Sequence, residues 1–148
     1  MKITVEEMAD IPENEIIVRC KERDLSVDKL ISALKFLDQT ISVKKDGKNY
    51  ILPVSDIYYF DCADNKVFCY TQGEVYETNF KLYEIESLPD NTKLVRVSKR
   101  MIVDAGKIKA FKAQLNGRME AILINDEKIE INRNYVPALK IKLGGLAK

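Results

Sequence analysis

The pattern of apolar positions predicts strands and one long helix before about residue 40, and mostly short strands after it. Residues 2–5 and 15–20 are alternating or β-branched, and the turn-forming residues 10–14 separate them, which predicts two short strands. From residue 27 the apolar positions recur every three or four residues, which predicts an amphipathic helix capped by Ser26 or Asp24. The apolar face of this helix consists of Val27, Leu30, Ile31, Leu34 and Leu37.

From residue 41 onward, short apolar stretches alternate with turn signals. Residues 41–44 and 49–52 flank Asp46-Gly47, a pair that is typical of a tight β-hairpin. Short helices are predicted over residues 81–87 and from residue 135 to Gly144-Gly145. Further strands are predicted over residues 56–62, 66–71, 74–78, 95–97, 101–103, 108–115, 118–124 and 128–131.

These elements predict a mainly β fold with a small α/β extension at its N-terminus. No segment of helical length separates consecutive strands between residues 41 and 78 or between 95 and 131, which favours an antiparallel over a parallel arrangement. Residues 41–148 are therefore predicted to form one β domain. Residues 1–40, a strand-strand-helix extension, carry too little apolar area to fold alone. We expect them to pack on the β domain or on a second copy of the chain.

Composition removes several classes of chemistry. The chain of 148 residues contains no histidine, which excludes histidine acid–base catalysis and most zinc sites. Cys20, Cys62 and Cys69 have no metal-binding spacing, and none of the six glycines forms a phosphate-binding loop. We therefore expect neither an enzyme nor a bound metal, cofactor or small-molecule substrate. Free thiols and the lack of a signal peptide or membrane segment predict a cytoplasmic protein.

Charge is distributed unevenly along the chain, and the net charge of +1 hides a basic C-terminal third. Residues 93–148 carry 13 Lys and Arg against 5 Asp and Glu, a net charge of +8. Residues 1–40 and 41–92 carry net charges of −3 and −4. Clustered cations on an otherwise acidic chain indicate a surface for a polyanion such as nucleic acid. A solvated basic face without a partner is the alternative.

Six short motifs follow one another in a fixed order after residue 41. They are Asp56-Ile57 before an aromatic strand, Asn65, the Leu-x-x-Ile-Glu motif of residues 82–86, residues 95–100 leading into Ile102-Val103, Lys107-Ile108, and Arg133-Asn134-Tyr135. In this order and spacing they resemble the LytTR-type DNA-binding domain family over residues 41–144.

This resemblance implies an elongated fold of antiparallel sheets whose loops, rather than a recognition helix, enter the major groove of double-stranded DNA. Arginine can read a guanine edge with two parallel hydrogen bonds, whereas lysine binds phosphate as a point charge. By position in the family pattern, the DNA-binding residues fall in three loops, residues 64–66, 98–100 and 133–134, and at a fourth position that contacts the DNA backbone. They are Asn65, Lys66, Ser98, Lys99, Arg100, Arg118, Arg133 and Asn134. The implied function is a sequence-specific transcriptional regulator.

Two departures from the family pattern bear on this function. Many members have histidine where Ser98 stands and a small residue where Arg100 stands, so their base preference does not transfer. Most relatives also carry a receiver domain ahead of the DNA-binding domain, and residues 1–40 are too few to form one. The chain therefore resembles the stand-alone class, which is response-regulator-like and often encoded beside a small membrane protein. Such a protein is a candidate partner.

Three interpretations stay open beside duplex recognition. The strand aromatics could stack on single-stranded DNA or RNA, although dense strand aromatics are more often core residues; they are Tyr58, Tyr59, Phe60, Phe68 and Tyr70. The chain could instead be a protein-interaction module that regulates a membrane partner. The apolar face of residues 27–37 could pack within the chain or form a dimer, and we predict a homodimer because LytTR-type sites are typically paired repeats.

Overall fold

The computed structural model describes residues 1–37, 39–87 and 93–146 and is mainly β, as predicted. The strands in this part of the chain are β1 Thr40–Lys45, β2 Lys48–Pro53, β3 Tyr59–Ala63, β4 Lys66–Tyr70, β5 Val75–Thr78, β6 Leu94–Arg96, β7 Met101–Asp104, β8 Ile108–Ala113, β9 Met119–Leu123 and β10 Lys128–Ile131. The helices are α1 Leu25–Leu37, α2 Leu82–Glu86 and α3 Val136–Leu146. Single 3-10 turns lie at Val54–Asp56, Ala105–Lys107, Leu115–Gly117 and Arg133–Tyr135.

The strands form two antiparallel sheets. The larger sheet has the order β2-β1-β5-β4-β3-β7-β6, and the smaller one has the order β10-β9-β8. The predicted hairpin is confirmed, because Lys45 pairs with Lys48 across a two-residue turn. Asp46 and Gly47 both have positive φ, of 52° and 75°, as the favoured two-residue hairpin turn requires.

The larger sheet separates two apolar cores, and the two-residue period of its strands decides which side chain enters which core. On β3, Phe60 is fully buried in the first core, whereas Tyr59 packs against the second. On β7, Ile102 lies in the first core and Val103 in the second. Helix α2 lies on the first core. The smaller sheet and α3 cover the second core, into which α3 inserts the fully buried Leu139.

Two of the strand aromatics confirm the interpretation as core residues. Tyr58 and Phe60 are buried, in the second and first core respectively. Tyr59 and Tyr70, which are opposite each other on β3 and β4, stack with their ring centroids 4.4 Å apart. The two ring faces that meet in this stack are therefore not available to a nucleic-acid base. Nearby, burial raises the pKa of the Cys69 thiol above its ordinary value, so this thiol stays protonated at neutral pH.

The two strands predicted before α1 are wrong. Residues 1–24 contain no strand or helix, and Ile3, Val5, Ile16 and Ile17 are largely exposed. A strand is stable only when another strand accepts its backbone hydrogen bonds, and neither sheet pairs with this segment in the structure. The β-branched residues therefore favour a strand, but the described part of the chain offers no neighbouring strand to pair with them.

The helix ends differ in detail from the prediction. The side chain of Asp24, one of the two predicted capping residues, accepts a hydrogen bond from the Val27 N–H at 3.0 Å. The hydroxyl of Ser26 donates to the same carboxylate at 2.6 Å, so Asp24 caps α1 and Ser26 supports it. The predicted end of α3 at Gly144-Gly145 is wrong, because the helix continues to Leu146.

Helix α1 lies beside the larger sheet without entering its core. The Thr40 hydroxyl donates to the Lys35 carbonyl at 3.2 Å, and the Lys29 ammonium lies 3.8 Å from the Glu84 carboxylate. On the predicted apolar face of α1, the side chains that the structure describes are only half-buried and belong to neither core; they are Val27, Leu30, Ile31 and Leu34. The division of the chain at residue 40 stays a prediction. In the described part of the chain, no helix combines the length and the apolar character that crossing a membrane requires.

Candidate nucleic-acid interface

The first predicted DNA-binding loop is the tight turn between β3 and β4. Asp64 and Asn65 have positive φ, of 51° and 61°, a conformation that Asn and Asp tolerate better than most residues. The Lys81 ammonium donates to the Asn65 carbonyl at 3.4 Å and connects this turn to the start of α2. The side chains of Asn65 and Lys66 are exposed beside the turn.

The second predicted loop, residues 98–100, is held by Arg96. The Arg96 guanidinium donates to the Ser98 carbonyl at 2.6 Å and also to the Lys99 carbonyl. Its third hydrogen bond goes to the Glu86 carboxylate at 2.8 Å, and the side chain is only 19% exposed. The sequence prediction missed this role, although an arginine between two apolar residues, Val95 and Val97, is the signal that could have indicated it.

Backbone and side-chain hydrogen bonds join the first two loops. The Cys62 N–H donates to the Arg100 carbonyl at 2.8 Å. The Arg100 guanidinium makes two parallel hydrogen bonds to the Asp61 carboxylate, at 2.8 and 3.0 Å. These hydrogen bonds, together with the negative charge of Asp61, raise the pKa of Arg100 further above its ordinary value. Arg100 therefore stays a cation, but one whose charge is partly neutralised within the chain.

The third predicted loop, residues 133–134, is a 3-10 turn directly before α3. The Asn132 side chain accepts a hydrogen bond from the Asn134 N–H at 3.0 Å and caps the turn. The Asn132 N–H donates to the Val97 carbonyl at 3.0 Å, immediately before the second loop. This bond fixes the third loop against the second.

Arg118, the fourth predicted position, lies close to the third loop. The preceding turn contains Asn116 with a positive φ of 63° and Gly117 with one of 75°. A Cβ atom on Gly117 would lie 3.4 Å from the Arg133 Cβ, so the two turns are in contact. Arg118 donates to the Glu130 carboxylate at 2.6 Å. The residues lining the open groove between these turns are Asn116, Arg118, Asn132, Arg133 and Asn134.

We call residues 64–66, 98–100 and 133–134 the interface loops. Backbone hydrogen bonds connect the residues in or beside the interface loops, from Cys62 to Arg100 and from Asn132 to Val97. The predicted side chains on the loops are exposed except for the half-buried Ser98. Among the described residues, the side chains of Lys66, Lys99 and Arg133 have no ion-pair partner, whereas Arg100 and Arg118 are paired. In the same part of the chain, no three Cys, Asp or Glu side chains come together as a metal site.

Comparison with known proteins identifies the family. The LytTr DNA-binding domain family matches residues 47–144, which include all eight predicted DNA-binding positions. The sensory transduction protein LytT of Enterococcus faecalis is 24% identical over 106 residues, which cover 72% of this chain and 44% of that protein. An uncharacterized HTH-type transcriptional regulator of Staphylococcus aureus (strain NCTC 8325 / PS 47) is 26% identical over 146 residues, 97% of this chain and 98% of that protein.

A solved structure supports the same assignment at the level of the fold. The LytTr DNA-binding domain of a Bacillus cereus protein superposes with a TM-score of 0.66 at 20% identity, covering 72% of this chain and 97% of that one. The family match covers α2 and every strand of the two sheets except β1, and it includes the three interface loops. The chain belongs to the LytTr DNA-binding domain family.

Proposed function

We propose that this chain is a cytoplasmic transcriptional regulator that recognises a specific sequence of double-stranded DNA through its interface loops. The observation that carries the proposal is the pair of backbone hydrogen bonds, Cys62 to Arg100 and Asn132 to Val97, that hold the three loops in one arrangement. Loops fixed in this way present their side chains without a large loss of conformational entropy on binding. The major groove is the part of the duplex that distinguishes all four base pairs.

The unpaired cations define the roles within this proposal. Among the described residues Arg133 has no ion-pair partner, and it lines the protein groove beside Arg118. Its guanidinium is therefore available for a bidentate contact with a guanine edge. Lys66 and Lys99 are exposed and suit contacts with phosphate, which give affinity but not sequence preference. Arg118 is paired with Glu130 and suits a backbone contact beside the groove.

Substitution of single cations tests these roles. We expect Arg133→Ala to cost about 1–3 kcal/mol of binding free energy on a selected duplex and to relax the preference at one or two base pairs. Lys99→Ala should weaken binding evenly across sequences. Affinities are measured by fluorescence anisotropy with a duplex selected by the wild-type protein from a random pool and with a mixed-sequence duplex.

A lysine outside the interface loops serves as the control. Lys44 is exposed on β1, near the opposite edge of the larger sheet from β7 and β6, so Lys44→Ala should leave both affinities almost unchanged. Equal losses for Arg133→Ala on selected and mixed-sequence DNA would show that Arg133 contacts only the DNA backbone.

We also propose that α1 joins two copies of the chain, as a device that brings two sets of interface loops to paired sites. The support is that the described side chains of its apolar face, Val27, Leu30, Ile31 and Leu34, are half-buried and lie outside both cores. Full burial of such a side chain contributes about 1.5–3 kcal/mol, so an unfilled apolar stripe favours association. A dimer would raise the effective concentration of the second copy at a neighbouring half-site.

Charge introduced into this stripe should separate the copies. Leu30→Glu with Leu34→Glu is expected to give a folded monomer that binds one half-site weakly, as measured by analytical ultracentrifugation and anisotropy. Lys35→Glu on the exposed side of α1 changes the net charge by the same −2 and should leave the dimer intact. A wild-type protein that sediments as a monomer at micromolar concentration would contradict the dimer, as would a double variant that does not fold.

A further inference from the structure

Besides Asp64 in the first interface loop, a second carboxylate, that of Asp61, lies beside the cations of the interface loops. Asp61 is on β3, three residues before the first interface loop, opposite Met101 on β7. Its side chain is 16% exposed, whereas that of its partner Arg100 is 63% exposed. An uncompensated carboxylate on a DNA-binding surface would repel phosphate. The position of Asp61 therefore calls for a physical explanation.

The hydrogen bonds of the pair have two consequences. Both oxygens of Asp61 accept from Arg100, at 2.8 and 3.0 Å, and this bidentate geometry is the one in which arginine also binds phosphate. While the pair is formed, the Nε and Nη2 edge of the Arg100 guanidinium is occupied and cannot bind a phosphate in this way. The same pair, together with the bond from the Cys62 N–H to the Arg100 carbonyl, fixes the second interface loop against β3.

We infer that Asp61 is a specificity-determining residue, which rests on the proposed DNA-binding function. It keeps Arg100 from contacting the phosphates of arbitrary DNA, and it holds residues 98–100 in the arrangement that reads a selected sequence. The first effect lowers affinity for wrong sequences, and the second preserves affinity for the right one. Specificity is the difference between these two affinities, so both effects increase it.

Neutralising Asp61 should therefore change the two affinities differently. In Asp61→Asn, Arg100 gains freedom to contact phosphate, and one added phosphate contact is expected to raise affinity for a mixed-sequence duplex about threefold at low salt. The salt slope should become steeper by about one. Affinity for the selected duplex should stay the same or fall, so the ratio of the two affinities should drop by about threefold or more.

Two further variants separate this role from a general effect of charge or folding. Asp46→Asn makes the same chemical change in the β1–β2 turn, where Asn followed by Gly is well accommodated, and should leave the ratio of affinities unchanged. Arg100→Gln also removes the side-chain contact between the second interface loop and Asp61 but supplies no free cation. It should lower affinity for the selected duplex without raising affinity for the mixed-sequence duplex.

The mixed-sequence measurement tests whether Asp61 restrains Arg100, and it does so independently of sequence-specific binding. A rise in that affinity for Asp61→Asn but not for Asp46→Asn or Arg100→Gln is the expected result. An unchanged or lower mixed-sequence affinity for Asp61→Asn, in a variant whose thermal unfolding matches the wild type, would overturn the inference. A wild-type protein that enriches no sequence from a random pool would instead contradict the proposed function, and with it the role of Asp61 in specificity.

Discussion

Affinity for duplex DNA is expected to fall by about two to three orders of magnitude when the salt concentration rises from about 50 to about 200 mM. The reason is counterion release: each Lys or Arg that contacts a phosphate frees condensed cations, and about four to six such contacts give a drop of this size. In the proposed function, Lys66, Lys99 and Arg133 are expected to make part of these contacts. We expect other basic residues of the C-terminal third to make the rest.

The salt effect is measured by anisotropy titration of a labelled duplex at several salt concentrations. Thermal unfolding over the same range is the control, because it shows that the fold itself does not depend on the salt. Lys99→Ala should reduce the slope of the logarithmic plot by about one if Lys99 contacts phosphate. A flat response of the wild type would contradict DNA binding through the basic residues.

Leu139→Ala is expected to lower the free energy of unfolding by about 2–5 kcal/mol. Leu139 is 0% exposed and is the residue through which α3 enters the second core. Its truncation leaves a cavity beside α3 in the second core. Because the turn that carries Arg133 leads directly into α3, DNA binding should be lost together with the fold as denaturant is added.

Ile141 provides the matched control for this substitution on the same helix. It is 78% exposed, so Ile141→Ala should change the free energy of unfolding by no more than about 0.5 kcal/mol. Urea denaturation monitored by circular dichroism measures both values. Equal effects of the two substitutions would show that Leu139 does not anchor α3 in the second core.

Local patterns predicted the strands and turns of the β domain because each depends on neighbouring residues. The Asp46-Gly47 pair needs only the positive φ values of a tight turn, and the structure has them. Boundaries were less accurate where a turn interrupts a strand pattern. Leu115 was predicted within a strand but lies in a 3-10 turn, because Asn116 adopts a positive φ of 63°.

Elements that depend on distant partners could not be predicted in this way. Residues 15–20 have the composition of a strand, but a strand also needs an edge to pair with, and no local pattern supplies one. The family resemblance predicted which residues lie on the interface loops. It did not predict the hydrogen bonds and the ion pair that connect these loops to one another and to β3. Asp61 and Arg100 are 39 residues apart, so only the pairing of β3 with β7 brings them together.

Competition among nucleic acids tests sequence-specific duplex recognition most directly. A labelled duplex selected from a random pool is bound by the wild-type protein and displaced by unlabelled competitors of equal length. We predict that the selected duplex displaces it at far lower concentration than a mixed-sequence duplex, and that single-stranded DNA and RNA are weaker still. Displacement by single-stranded DNA or RNA at concentrations equal to or below that of the selected duplex would contradict sequence-specific recognition of double-stranded DNA.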